Sequence, residues 1–195
     1  MNKLRLPFLI ASFLSSLTAS SQDTVYFKSG LMINTPAHYG REAIVTDELA
    51  YALYTNNLKT PVDGETFGKD EDGKDLSWQP LVADSLNRLR PVTRPDRRRG
   101  RFGGDYIYLT YNSYKKQPAL LNIKGNSFFF LNGKLHTGDP YSSGWLYIPV
   151  ALKKGLNEFY VRGYFQTSAS LIFPRKQVSI NTEDPTLPFI VLTHN

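Results

Sequence analysis

Residues 105–134 read DYIYLTYNSYKKQPALLNIKGNSFFFLNGK, and the fold is decided there. Residues 106–111, 119–124 and 127–131 are short runs rich in Tyr, Ile, Leu and Phe, the residue types that suit a pleated, half-buried surface. Lys124-Gly125-Asn126 and Asn132-Gly133-Lys134 separate them and supply the positive φ angles that hairpin turns need. The same texture continues through residues 144–150, 158–164, 170–173 and 189–193, with Lys154-Gly155-Leu156-Asn157 turning the chain into the strongest late run. Trp145, Tyr147 and Phe159 fall at strand spacing, which describes scaffold. Short strands punctuated roughly every eight to twelve residues predict a mainly β chain: an antiparallel β-sandwich of the jelly-roll kind, without an internal repeat.

Outward from this stretch the texture loosens. Residues 61–104 are rich in turn formers, including Pro61, Gly64, Gly68 and the polar run 69–75, and they end in an arginine segment closed by Gly103-Gly104. They are expected to form loop, with one anchored piece around Trp78. In residues 23–60, Thr46-Asp47-Glu48 followed by Leu49, Ala52 and Leu53 fits a short helix, and a strand competes with it. Three parts are therefore expected: a signal peptide over 1–21, a loosely structured amino-terminal extension over 22–104, and the sandwich module over 105–195.

The start of the chain shows Lys3 and Arg5, an apolar stretch over 6–17, then the small residues Ala19, Ser20 and Ser21. This is the order of a cleavable secretory signal, with cleavage expected after Ser21. The stretch is too short for a bilayer, which takes roughly 20 residues. A secreted or periplasmic protein is implied, with no membrane attachment after cleavage. The chain has no cysteine, so stability must come from packing rather than disulfides.

The net charge of +6 is local. Residues 88–101 hold seven arginines against Asp96 alone, so a uniform nucleic-acid-binding face is not indicated. Arg97, Arg98, Arg99 and Arg101 can grip phosphate or sulfate, because guanidinium forks match such anions; a solvated, mobile connection is the competing reading.

Catalytic strings are missing. No Gly-x-Ser-x-Gly turn is present, and His38, His136 and His194 stand apart without zinc-ligand spacing. Asp70, Asp72 and Asp75 around Gly73 lack the spacing and the closing Glu of a calcium loop. No metal and no cofactor are expected. Asp105, Asp139 and Glu158 are the acids of the β-rich part before residue 183, and a carboxylate pair among them would be needed for glycoside cleavage. Asp139, Tyr141 and Trp145 form a usable sugar-binding set, since aromatic faces stack on pyranose rings while a carboxylate fixes hydroxyls. The competing reading places Tyr141 and Trp145 in the core.

The order Phe129-Phe130-Leu131-Asn132-Gly133-Lys134, then Gly138-Asp139-Pro140-Tyr141 with Gly144-Trp145-Leu146-Tyr147-Ile148-Pro149-Val150, then Leu152-Lys153-Lys154-Gly155-Leu156-Asn157-Glu158-Phe159-Tyr160-Val161-Arg162 resembles the galactose-binding-like jelly-roll modules of secreted bacterial hydrolases. Together with Trp78, the Gly103-Gly104-Asp105-Tyr106 start and the ending Asn181 to Pro188, it is similar to the amino-terminal region of large exported α/β-hydrolase or prolyl-oligopeptidase-type proteins. The resemblance covers residues 75–190 and implies a catalytic domain downstream in the same polypeptide, with the strand at 190–193 cut short. It implies a non-catalytic accessory module that orients that domain and touches glycan or polymer substrate. A small secreted glycosidase or lyase using the acids above, and a cell-surface adhesion or structural domain, are the alternatives.

Overall fold

The computed structural model describes residues 23–34, 47–69, 73–92, 105–139, 141, 144–163, 168–174, 178–180 and 190–192. Residues 1–21, expected as a signal peptide, the arginines from Arg94 to Arg101, His38, His194 and the ending 181–188 lie outside them. The first half holds β1 (Asp23–Tyr26), β2 (Ser29–Ile33), α1 (Glu48–Tyr54), β3 (Thr66–Lys69), β4 (Asp75–Ser77), β5 (Gln79–Ala83) and β6 (Leu89–Pro91). The second holds β7 (Asp105–Ser113), β8 (Gln117–Ile123), β9 (Asn126–Leu131), β10 (Lys134–Thr137), β11 (Ile148–Leu152), β12 (Gly155–Gly163), β13 (Ala169–Phe173), β14 (Val178–Ile180) and β15 (Ile190–Leu192).

These strands form an antiparallel β-sandwich. One layer is a four-stranded sheet in the order β1-β13-β8-β11, and the other a seven-stranded sheet in the order β10-β9-β12-β7-β2-β5-β6. Side-chain alternation builds the core between them. From the larger sheet come Ile107 and Leu109, Phe129 and Leu131, and Phe159 and Val161; from the smaller come Ala119, Leu121 and Ile123, Val150 and Leu152, and Leu171.

The turn residues of the sequence do two different jobs. Asn132 (φ 51°) and Gly133 (φ 82°) close a true hairpin, in which β9 and β10 pair from Leu131↔Lys134 onward. Gly125 (φ 79°) and Gly155 (φ 90°) also take left-handed backbone, yet the strands flanking each turn lie in different layers. These two turns are corners that carry the chain across the core, where hairpins were expected. The glycine requirement is the same in both cases, and only the partner sheets tell them apart.

Asn157 fixes the second corner. Its Oδ1 accepts from Lys153 N at 2.9 Å and Asn132 Nδ2 at 3.0 Å, while its Nδ2 donates to the carbonyls of Lys153 at 2.9 Å and Gly155 at 3.0 Å. The Leu-Lys-x-Gly-x-Asn string is therefore a turn with its own internal brace, tied to the neighbouring hairpin.

The division expected at residue 104 does not separate two folded units. β1 pairs with β13 and β2 with β7, so strands from before residue 105 enter both layers. Residues 79–91, expected as loop, add β5 and β6 to the larger sheet. These strands are short and carry Pro80 and Pro91, which hid them in the sequence.

The larger sheet is apolar on both faces. Behind it, Tyr106, Tyr108, Phe130 and Tyr160 pack with Trp78 and Ile33. Helix α1 covers them with Leu49 and Leu53, and the β3–β4 ribbon joins with Phe67 and Leu76. Between the two readings of residues 46–53 the helix prevails, because Asp47 caps it by accepting from Ala50 N at 2.9 Å.

Candidate functional site

A groove of about 430 Å³ lies on the outer face of the smaller sheet. Register builds its floor. Tyr26 stands opposite Ser170, and Ser170 opposite Asn122, so the three form one row across β1, β13 and β8, with Thr24 and Ile172 in the next row. Adjacent strands lie roughly 4.8 Å apart, which makes the Tyr26–Asn122 row about 10 Å long.

Two loops wall the groove. Between β5 and β6, Asp84 Oδ1 accepts from Leu86 N at 2.9 Å and Arg88 N at 3.0 Å. Its Oδ2 binds the Nε atoms of Arg88 and Arg90, each at 2.8 Å. The Arg88 amide first, and then the two guanidiniums and the Leu86 amide, hold this carboxyl well below the usual carboxylate range against a smaller opposing effect of desolvation. The braced turn presents Leu86 and Asn87 to the groove, and a bridge between Arg88 and Ser168 joins it to the floor.

The other wall is the loop before β11. Asn122 Nδ2 donates to the carbonyls of Gly144 at 3.0 Å and Leu146 at 2.9 Å, which sets Tyr147 at the groove edge. Asp139 braces the same loop from inside: its Oδ2 accepts from Gly144 N at 2.7 Å, and its own N donates to Asn126 Oδ1 at 3.0 Å.

The sugar-binding set named from sequence divides accordingly. Asp139 is 3 % exposed, whereas Tyr141 is 91 % and Trp145 84 % exposed. The core reading of the two aromatic residues is thus overturned, and the carboxylate they were grouped with is turned into the loop. Tyr26 and Tyr147, 44 % and 53 % exposed, are the aromatic residues that line the groove. Sequence reasoning left Tyr26 unassigned and placed Tyr147 in the scaffold. Arg97, Arg98, Arg99 and Arg101 lie outside the described residues.

The acids sort the same way. Asp105 pairs with Gly163 across β7 and β12, five residues from Glu158 along β12. At about 3.4 Å per residue their backbones stand roughly 17 Å apart along the ladder, whereas a glycosidase pair needs carboxyl groups roughly 5 to 10 Å apart. Glu158 Oε1 accepts the Tyr108 hydroxyl proton at 2.8 Å, and burial pushes the Tyr108 and Tyr160 hydroxyls up, aided by Glu158. His136 stacks on Phe129 with ring centroids 4.9 Å apart, and among the described residues no group of three His, Cys, Asp or Glu side chains converges as a metal site.

The geometry defines an antiparallel β-sandwich with a solvent-open polar groove edged by two tyrosines. No protein-family model, curated protein or solved structure matches the chain.

Proposed function

We propose that the chain is a non-catalytic, carbohydrate-binding β-sandwich module of an exported hydrolase, holding polymer substrate for a catalytic domain downstream in the same polypeptide. The carrying observation is the groove over β1, β13 and β8, with Tyr26 and Tyr147 at its edges and Ser170, Asn87 and Thr24 among its polar lining. Aromatic faces supply apolar contact to a sugar ring, while short hydroxyl and amide groups exchange hydrogen bonds with its hydroxyls. An open groove also admits a chain interior, as a polymer requires. The motif order, which resembles that of jelly-roll modules of secreted hydrolases, supports the placement. The separation of Asp105 from Glu158, and the use of Asp139 inside its loop, favour binding over glycoside cleavage.

The test is polysaccharide binding by the purified chain, measured by affinity electrophoresis and titration calorimetry. Tyr26→Ala and Tyr147→Ala are each expected to weaken binding about tenfold with the thermal midpoint unchanged. Absence of binding to any glycan would leave the adhesion or structural alternative. Turnover of a glycoside, ester or peptide that disappears in Glu158→Gln or Asp139→Asn would overturn the non-catalytic reading.

A further inference from the structure

Charge around the groove is one-sided. Lys28 Nζ lies 5.6 Å from the centroid of the Tyr26 ring and donates to Asn87 Oδ1, so the ammonium is held between a groove-lining side chain of the floor strand β1 and one of the β5–β6 wall. Tyr26 and Asn87 themselves lie far apart in sequence and are brought together by the antiparallel pairing of β2 with β5, in which Ser29 stands opposite Val82. No acidic residue lines the groove among the described residues. The nearest carboxylate in the wall, Asp84, is shared by Arg88 and Arg90, so that turn carries one more positive charge than negative. Asp23 precedes Thr24 on β1 and by strand alternation belongs to the opposite face.

From this we infer that the groove takes an anionic glycan, with a sugar ring against Tyr26 and its carboxylate or sulfate paired with Lys28. The inference rests on the carbohydrate reading above and narrows its substrate class. Lys28 is suited to the role because a lysine ammonium acts as a compact point charge with three donors. Asn87 takes one of these, which leaves the others for an anion. The positive φ of Asn87, 59°, and the Asp84 brace hold the partner amide in place before any ligand arrives, so little ordering is spent on binding.

Binding of polygalacturonate, dextran sulfate and uncharged dextran to the full chain tests this at a fixed ionic strength. The first two separate carboxylate from sulfate, and the third reports the neutral sugar alone. Polygalacturonate or dextran sulfate should bind more tightly than dextran. Lys28→Met should weaken the charged ligand about fivefold without changing dextran binding or the thermal midpoint, and added salt should reproduce the loss. Because the whole chain is basic, Tyr26→Ala is the control for site: it must weaken the charged and uncharged ligands together. Equal binding of dextran and the anionic polymers, with Lys28→Met silent, would overturn the anionic preference and leave the carbohydrate reading standing. Charged binding that survives both Lys28→Met and Tyr26→Ala but is lost when Arg97, Arg98, Arg99 and Arg101 are changed to Gln would overturn it in favour of the arginine segment. Failure of all three polymers to bind overturns the anionic-glycan inference, while the carbohydrate reading falls only with the absence of binding to any glycan.

Discussion

The Tyr106 hydroxyl donates a 2.6 Å hydrogen bond to Asp47 Oδ2, joining the seven-stranded sheet to the cap of the helix that covers it. Arg162 Nη1 binds the same carboxylate oxygen, and its guanidinium lies over the rings of Tyr106 and Phe128, 5.8 and 5.6 Å from their centroids. One carboxylate thus serves a helix cap, a buried phenol and a cation. Tyr106→Phe should destabilise the chain by about 1.5–3 kcal/mol, measured by urea unfolding. Asp47→Ala should cost more, since it also removes the cap and leaves Arg162 without this carboxylate. A double-mutant cycle between the two positions should show coupling; additive effects would mean that the bond contributes nothing.

Asn157 is fully buried and braces the corner from Lys153 to Gly155. Asn157→Ala orphans several backbone groups at once and should destabilise by about 3 kcal/mol. Asn157→Asp should not rescue it, because a carboxylate cannot donate to the Lys153 and Gly155 carbonyls. Equal stability of the aspartate variant and the unaltered chain would disprove the brace.

Acidification and alkalinisation should both weaken the fold, through different groups. Burial first, and then Lys134, lowers the His136 pKa from its ordinary 6.5. The unfolded chain therefore binds the proton more readily, and stability should fall as pH drops below about 6.5. His136→Gln should flatten that slope. At the other end burial, assisted by Asp47 and Glu158, raises the hydroxyls of Tyr106, Tyr108 and Tyr160. The unfolded chain loses these protons first, so their contribution should vanish as pH rises above the ordinary 10.0. Ultraviolet titration should show these three ionising only with unfolding; reversible ionisation of all twelve tyrosines in the folded chain would refute their burial.

A chain cut once within residues 93–104, by trypsin or at an introduced protease site, should remain one particle. The β1–β13 and β2–β7 pairings cross that point, so the fragments should co-elute on gel filtration and part only in denaturant. Release of a folded carboxy-terminal fragment would restore the boundary at residue 104.

Much of the fold was legible in local chemistry. The β-type runs after residue 105 became β7, β8, β9, β12 and β13, and Asp47 capped its helix. For residues 144–150 the strand starts only at Ile148, because Asn122 takes the preceding carbonyls of Gly144 and Leu146. Strands in 23–91 were illegible because they are short and two of them, β5 and β6, hold proline.

Sequence by itself determined the antiparallel sandwich, the turn positions and the need for glycine or asparagine at left-handed backbone. Tertiary structure alone decided whether each turn is a hairpin or a corner, and which tyrosines are buried. Tyr106, Tyr108 and Tyr160 lie under a helix and a ribbon, while Tyr26 and Tyr147 border open solvent. The physical reason is that alternation along a strand tells which side chains share a face, but what covers that face comes from segments distant in the chain.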